Sequence, residues 1–313
     1  MLKFLARRLA GAVVLVFAVT ALTFTAMSAI SGSVARQIVG QTASAADVQA
    51  KAAELGLDRP VWLRYGQWLG GAIHGELGRS WFSGESVGSL LGGKVPITVS
   101  LVLASVVLSV VVSVAIGVAA AVRGGWIDRI LQTLAVAGFS FPSFVLGLLL
   151  ALVLAVQLGW LPAVGYQPFT EDPGLWLASI TLPTIALTVQ VVAATSQQVR
   201  GSMVDVLQSD FVRTLRSRGI SAPSLYLRHV LRSAAPPALT VLGLQTIGLI
   251  GGTVVVEKVF GLLGLGTAIV SGSTQGDLPV VMGVVAIMVV IVVVINLALD
   301  LAYAWLNPKV RTS

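Results

Sequence analysis

No cysteine occurs anywhere in the 313 residues, which removes disulfide frameworks, thiolate metal sites and cysteine nucleophiles at once. Histidine is nearly as scarce, with His74 and His229 alone. The topology derived below puts them on opposite sides of a membrane, so they share neither a metal nor a proton relay. No paired carboxylates, nucleophile elbow or zinc-ligand spacing is present. No residue is therefore assigned to catalysis or to a metal, and the chain is read as no enzyme on its own. Charge is also short: 11% of the residues are charged and 56% are apolar, with a mean hydropathy of +0.93. A soluble domain carries about 25% charged residues. A water-soluble core of this length has no place for so much apolar surface.

One further absence matters. Gly88-Ser-Leu-Leu-Gly-Gly93-Lys94 nearly fits a phosphate-binding P-loop, but Val95 stands where a Mg²⁺-binding hydroxyl belongs. No buried strand precedes the run, so ATPase activity of this chain is not expected.

What the sequence has in abundance is long charge-free runs. Residues 9–35, 95–122, 173–199, 233–256 and 278–299 contain no Asp, Glu, Lys or Arg, over 27, 28, 27, 24 and 22 residues. About 20 apolar residues cross the roughly 30 Å hydrocarbon core. The run 130–170 is too long for one helix, and its helix breakers after Leu158 end the span near Gln157. The run 259–276 has 18 residues, five of them glycine, and reads as a loop or re-entrant segment packed on protein. The expected architecture is all-α and polytopic, with six transmembrane helices. A domain of residues 1–94, one helix plus an extracytoplasmic segment, precedes a core of 95–313. The first apolar run, about 22 residues, exceeds the 7–15 of a signal peptide, so it is read as a span.

Basic residues set the orientation. With both termini cytoplasmic, the inner segments hold 13 basic and four acidic residues, and the outer segments seven basic and nine acidic. The net charge of +7 thus sits beside membrane spans, where the lipid bilayer and not nucleic acid is the expected partner. All seven tryptophans fall near expected interfaces. In the outer segment, Ser44 to Asp47 reads as a capping box opening a helix over 45–55. After Pro60, the residues Val61, Tyr65, Trp68, Leu69 and Ala72 share one helical face, which either lies on the membrane surface or packs on the transmembrane core.

The inner loop 200–235 carries six arginines and reads as two short helices around a turn at Gly219. By composition it is a topology determinant facing anionic lipid. Asp300 is placed at the inner end of the last span. Two polar stripes remain. Ser105, Ser109, Ser113 and Gly117 share a face of the second span, and Gly248 and Gly252 one of the fifth. Thr181, Thr184 and Thr188 share a face of the fourth, with Gln190 and Gln197 nearby. Helix packing and a polar solute pathway both remain open for these stripes.

Several motifs stand in order along the chain: Leu55-Gly-Leu-Asp-Arg-Pro60 with Tyr65 and Trp68, Gly75-Glu-Leu-Gly-Arg-Ser80, and Phe139-Ser-Phe-Pro-Ser-Phe144. Near the C-terminus, Asn296-Leu-Ala-Leu-Asp300-Leu-Ala-Tyr303 is followed by Asn307-Pro-Lys-Val-Arg311. Together they resemble the B-type permease subunit of dipeptide, oligopeptide and nickel ABC importers, and the resemblance covers nearly the whole chain. The segment Asp210-Phe-Val-Arg213-Thr214-Leu215-Arg216-Ser-Arg218-Gly219, with His229 and Arg232, is similar to that family's ATPase-coupling loop. Three positions depart from the pattern: Arg213-Thr214-Leu215 replaces Glu-Ala-Ala, Ser31-Gly-Ser-Val replaces a Pro-Gly-Asp-Pro-like turn, and Leu263 replaces proline.

The resemblance implies a type I ABC importer permease fold in the cell (plasma or inner) membrane. It also implies a second homologous permease subunit, two cytoplasmic ATP-binding subunits and an extracytoplasmic solute-binding protein. This chain would bind no cofactor, with ATP and Mg²⁺ used by the ATPase partners. The implied solute is a dipeptide or oligopeptide, with nickel or a metal chelate as the alternative. A pathway is sought among Phe139, Phe141, Ser143, Thr181, Thr184, Thr188 and Gln190. An ion-driven secondary carrier predicts inverted repeats and buried ionisable groups, and the spans show neither. A non-transporting membrane scaffold is the remaining competitor.

Overall fold

The computed structural model describes residues 2–30 and 34–306. The Ser31-Gly-Ser turn, the Asn307–Arg311 signature and the side chain of Lys3 lie outside the described residues. Among them, helices account for nearly all regular structure, beside a single antiparallel bridge between Arg79 and Ser86. Among the described residues, five helical stretches are long and apolar enough to cross a membrane, or six if a helix pair bent at its middle is counted as one span. The chain divides into two compact units. One is built on Ser100–Leu262 with residues 292–306, the other on Ala6–Val99 with Leu263–Ile291.

In the second of these units, α1 (Leu2–Ile30) is followed by short helices α2 (Val34–Val39) and α3 (Ala45–Glu54). Ser44 caps α3 through a capping box, its hydroxyl accepting from the Asp47 amide while the Asp47 carboxylate accepts from the Ser44 amide. Helix α4 (Val61–Ile73) starts at Pro60 and packs one face on α1. The Tyr65 ring meets Phe17 and Phe24 edge-on, and its hydroxyl lies 2.9 Å from that of Thr20. The packing alternative therefore describes this face. Arg64 lies over the Phe24 ring, 5.7 Å from its centroid. Burial pushes its guanidinium below the usual value, with Asp58 opposing that shift.

Helix α5 (Val87–Gly92) covers most of the P-loop-like run, so those backbone amides are turned into a helix. Helix α6 (Val95–Arg123) follows directly. Residues 259–276, read as a loop or a re-entrant segment packed on protein, contain an 11-residue helix, α13 (Leu265–Gln275), that is packed on protein. The Thr98 hydroxyl accepts from the Leu265 amide at 2.8 Å, and Val87, Leu91 and Val284 bury Leu265 and Ala268. Packing and a side-chain cap override the glycine content. It is too short to cross a membrane. Buried Asp277 then accepts from the Ser80 hydroxyl and the Trp81 amide, tying the Gly75–Ser80 motif to the start of α14 (Leu278–Leu306).

In the other unit, the expected third span is two helices, α7 (Gly125–Ser140) and α8 (Ser143–Leu150), the latter prolonged by wide π-type turns over Ala151–Gln157. They bend by 99° at Phe141-Pro142. Proline denies the preceding residue the helical region, and Phe141 is accordingly extended, with φ −99° and ψ 121°. Helix α9 (Pro173–Leu207) runs two turns past the expected end at residue 199. After α10 (Asp210–Ser217), the one-turn α11 (Ala222–Ser224) leads through π-type turns at Leu225–Val230 into α12 (Leu231–Val259). The expected second short helix is thus the head of a long one. The loop shrinks to the two short connections around α10.

Candidate functional site

Helix α10 is held as a knob on the ends of two long helices. Its apolar residues Val212 and Leu215 enter a cluster with Val199 and Met203 of α9 and Ala234 and Ala238 of α12. The opposite face presents Asp210, Arg213, Thr214, Arg216 and Arg218 to the surroundings. Only a loose ion pair forms among them, Arg213 to Asp210 at 3.3 Å with both side chains largely exposed. Their donors are therefore available to a partner.

The knob ends in a Schellman turn. The Ile220 amide donates to the Leu215 carbonyl and the Gly219 amide to that of Arg216, while Gly219 takes φ +74°. Ile220 and Leu215 pack in the same apolar cluster, as this motif requires. No atom lies within 4 Å of where a Gly219 Cβ would sit, so glycine is needed there for its backbone conformation and not for space.

Two loop residues named from the sequence sit elsewhere. Arg232 lies over the Trp305 ring at 6.0 Å and donates to the Leu306 carbonyl, closing the end of α14. His229 is half-buried in the π-type turns that lead into α12.

An element that the sequence did not disclose braces the stem. Arg200 of α9 grips Asp128 of α7 through two parallel hydrogen bonds, Nε to Oδ1 at 2.7 Å and Nη2 to Oδ2 at 2.6 Å. Gln132 adds a third at 3.0 Å. Such a fork is geometrically specific as well as strong. Within the turn before Arg200, α6 touches α9: a Cβ at Gly117 would fall 2.6 Å from Val199 and 2.9 Å from the Ser196 carbonyl. Ser105, Ser109 and Ser113 on the same stripe are fully buried, which is the packing use. Of the glycine pair on the fifth span, Gly252 approaches Leu187 and Ser143, while Gly248 faces open space. Helices α6, α7 and α9 are thus fastened together just before α9 delivers the knob.

The candidate pathway residues divide. Gln190 of α9 donates to the Phe141 carbonyl at 3.0 Å and so occupies an acceptor freed by the break before Pro142. Backbone opened at membrane depth is tolerated only where protein or a water-filled cavity satisfies it. Phe139, Phe141 and Phe144 around the break are each exposed. Ser143 lies at the α12 contact just described. Thr181 and Thr188 return their hydroxyls to the Leu177 and Ile185 carbonyls of their own helix, and the buried Thr184 hydroxyl has no hydrogen-bond partner among the described residues. Thr188 also lines a groove of about 330 Å³ with Ile116, Leu134, Gly138 and Val192, between α6, α7 and α9. Among the described residues, no three His, Asp or Glu side chains converge as a metal site.

Comparison with known proteins agrees with this architecture. Residues 113–312 match the family described as "Binding-protein-dependent transport system inner membrane component", and residues 1–102 match the N-terminal family of the same systems. A Brucella abortus (strain 2308) protein named "Putative peptide transport system permease protein" is 37% identical over 306 residues, covering 97% of this chain and 98% of its own. The glutathione transport system permease protein GsiC of Escherichia coli (strain CFT073) is 38% identical over 312 residues, covering 99% of each. Among solved structures, a chain of the inward-facing MetNI methionine ABC transporter shares the fold. Its TM-score is 0.55 at 19% identity, over 70% of this chain and 96% of that one. The helical spans, the knob and these matches together place the chain in the family of binding-protein-dependent transport system inner-membrane components, as a multi-pass permease of the ABC importer type.

Proposed function

We propose that this chain is one permease half of an ATP-driven peptide importer, and that α10 is the part through which ATP hydrolysis in partner subunits moves it. The substrate class is supported by the relatives, named for peptide and glutathione transport. The chain supplies no catalytic residue and binds no cofactor. Two cytoplasmic ATP-binding subunits use ATP and Mg²⁺, a second homologous permease completes the pathway, and an extracytoplasmic binding protein delivers the solute. Residues 1–94 form the N-terminal addition to a permease core of 95–313. Six spans run with both termini cytoplasmic, an orientation supported by the excess of arginine around the knob.

The observation that carries this reading is the arginine-lined face of α10, presented outward on an apolar stem. Arginine forks match partner carboxylates or carbonyls. Seated between the ends of α9 and α12, α10 passes a push or pull on that face to both long helices. Asp210, Arg213, Thr214, Arg216 and Arg218 make the contact, Leu215 anchors it and Gly219 ends it. His229 and Arg232 hold the base of α12 and the end of α14. On the solute side, Phe139, Phe141, Ser143, Thr181, Thr184, Thr188 and Gln190 remain the proposed wall, centred on the break at Pro142.

The test is a pair of substitutions at Gly219 in the reconstituted importer. Valine at a left-handed position costs on the order of 1–3 kcal/mol of backbone strain, whereas asparagine tolerates it. Gly219→Val should leave basal ATP hydrolysis but lose solute uptake, and Gly219→Asn should keep both. Equal uptake by the two variants would refute the role given to this turn.

A further inference from the structure

Helix α4 is apolar on the side it does not use. Its packed face holds Tyr65, Trp68 and Ala72, yet Trp62, Leu63 and Ile73 on the other side are 78%, 48% and 75% exposed. Gly66 and Gly70 between them leave the backbone bare, with no atom near either. A helix docked on a protein and facing water on its far side should be polar there. This one has two polar side chains in the middle, Arg64 and Gln67, and at about 100° per residue they share one edge.

Depth supplies the second observation. The apolar window of α1 is Ala6–Ala29. Phe24, Thr20 and Phe17 lie five, nine and twelve residues from its end, or roughly 8, 14 and 18 Å along a helix rising 1.5 Å per residue. Tyr65 touches all three, donating to the Phe17 carbonyl as well as facing the Thr20 hydroxyl. Arg64 meets only Phe24 of these, nearer the end of the span. The Arg64–Gln67 edge of α4 therefore points toward the membrane surface, and the edge beyond Tyr65, with Trp62 and Ile73, toward the hydrocarbon. Much of the apolar surface of α1 is itself exposed, including Val13, Val14 and Leu22, so the lipid-facing surface of the span continues onto α4.

We infer that α4 is embedded in the lipid leaflet at the C-terminal end of α1, with acyl chains covering the Trp62–Leu63–Ile73 face. At 13 residues, about 20 Å, it is too short to span the bilayer; amphipathic helices at the boundary bury about 5–10 Å, and the Tyr65 side chain reaches deeper from there along α1. Asp58 and Arg59 before it, and His74 and Glu76 after it, keep both ends in the headgroup layer. The polar edge stays wet, and Tyr65 hides its hydroxyl on α1.

The native chain has no cysteine, so single cysteines report without background. Spin labels at Trp62→Cys, Leu63→Cys and Ile73→Cys would be compared in the assembled importer, in vesicles of phosphatidylethanolamine and phosphatidylglycerol. Leu22→Cys on α1 is the lipid reference and Ala53→Cys on α3 the water reference. Accessibility to oxygen against a water-soluble nickel chelate should match Leu22 at the three α4 sites and shift toward Ala53 at Gln67→Cys. Leu63 and Ile73 decide the matter if Trp62→Cys fails to assemble. Labels that behave like Ala53 would overturn the inference in favour of a water-facing helix. Labels shielded from both reagents would overturn it in favour of a protein partner.

Discussion

Removing the Asp128–Arg200 fork should loosen the link between the membrane helices and the knob without removing any residue of the knob itself. Two opposite charges about 4 Å apart attract by roughly 4 kcal/mol at an effective dielectric of 20, before desolvation and side-chain ordering are subtracted. The side chains are 31% and 13% exposed. That places the pair between exposed pairs, worth up to about 1 kcal/mol, and buried ones, whose breakage costs about 3–5. A double-mutant cycle with Asp128→Asn and Arg200→Leu should therefore give a coupling energy of about 1–2 kcal/mol. The two single variants should differ. Without Arg200, Asp128 keeps only the Gln132 hydrogen bond among the described residues, whereas without the carboxylate the long Arg200 side chain reaches water or lipid phosphate. Arg200→Leu should then be the more damaging.

The assay has two readouts on the reconstituted importer, thermal unfolding for stability and ATP consumed per solute imported for coupling. Two helical turns separate Arg200 from the end of α9 at Leu207. Play at that point should raise ATP consumed per solute in both single variants. Strictly additive effects on stability, or an unchanged ratio of ATP to solute, would refute the reasoning.

Other consequences follow from the same geometry. Gly117→Ala puts a methyl group against Val199 and a backbone carbonyl, so overpacking should cost about 1–3 kcal/mol, visible as a lowered unfolding temperature. Gly248→Ala, with open space around it, should leave that temperature unchanged. Gln190→Leu orphans the Phe141 carbonyl, at a cost of about 1–3 kcal/mol. It should impair uptake, and Gln190→Asn, one methylene shorter, should impair it as much if reach to the Phe141 carbonyl is what holds the break; normal uptake by both variants would refute this role. Pro142→Ala frees Phe141 to become helical and should straighten the α7–α8 bend, read as a longer distance between spin labels at Trp126→Cys and Leu152→Cys.

Most of the span count was legible because a charge is costly in hydrocarbon and its absence over 22 or more residues is hard to arrange otherwise. The Ser44 capping box and the Gly219 turn were legible for another reason: each is local chemistry, complete within four to six residues. What stayed hidden depends on contacts distant in sequence. Arg200 ended the fourth span by the charge criterion, yet α9 continues through it because Asp128, 72 residues away, receives the guanidinium. The available signal was a pair of opposite charges at the same end of two spans. Pro142 stood in plain view inside Phe139–Phe144, but only the extended backbone at Phe141 and the Gln190 bond show that the span breaks there and does not merely kink. The glycine-rich 259–276 gave no local hint of helix, since Thr98 and the apolar seat under Leu265 come from other elements. Arg232 looked like part of a basic loop, and only the fold brings it to Trp305.

The account turns on what touches the outer face of α10, and one measurement reaches it directly. A lone cysteine at Ser217, exposed on that helix, can be cross-linked in the assembled importer and the product identified by mass spectrometry. A product joining Ser217→Cys to the ATP-binding subunit, with a yield that changes between nucleotide-free and ATP-bound states, is the expected result. Labelling of Ser217→Cys by a membrane-impermeant reagent from the extracytoplasmic side, with no product to the ATPase, would contradict the account.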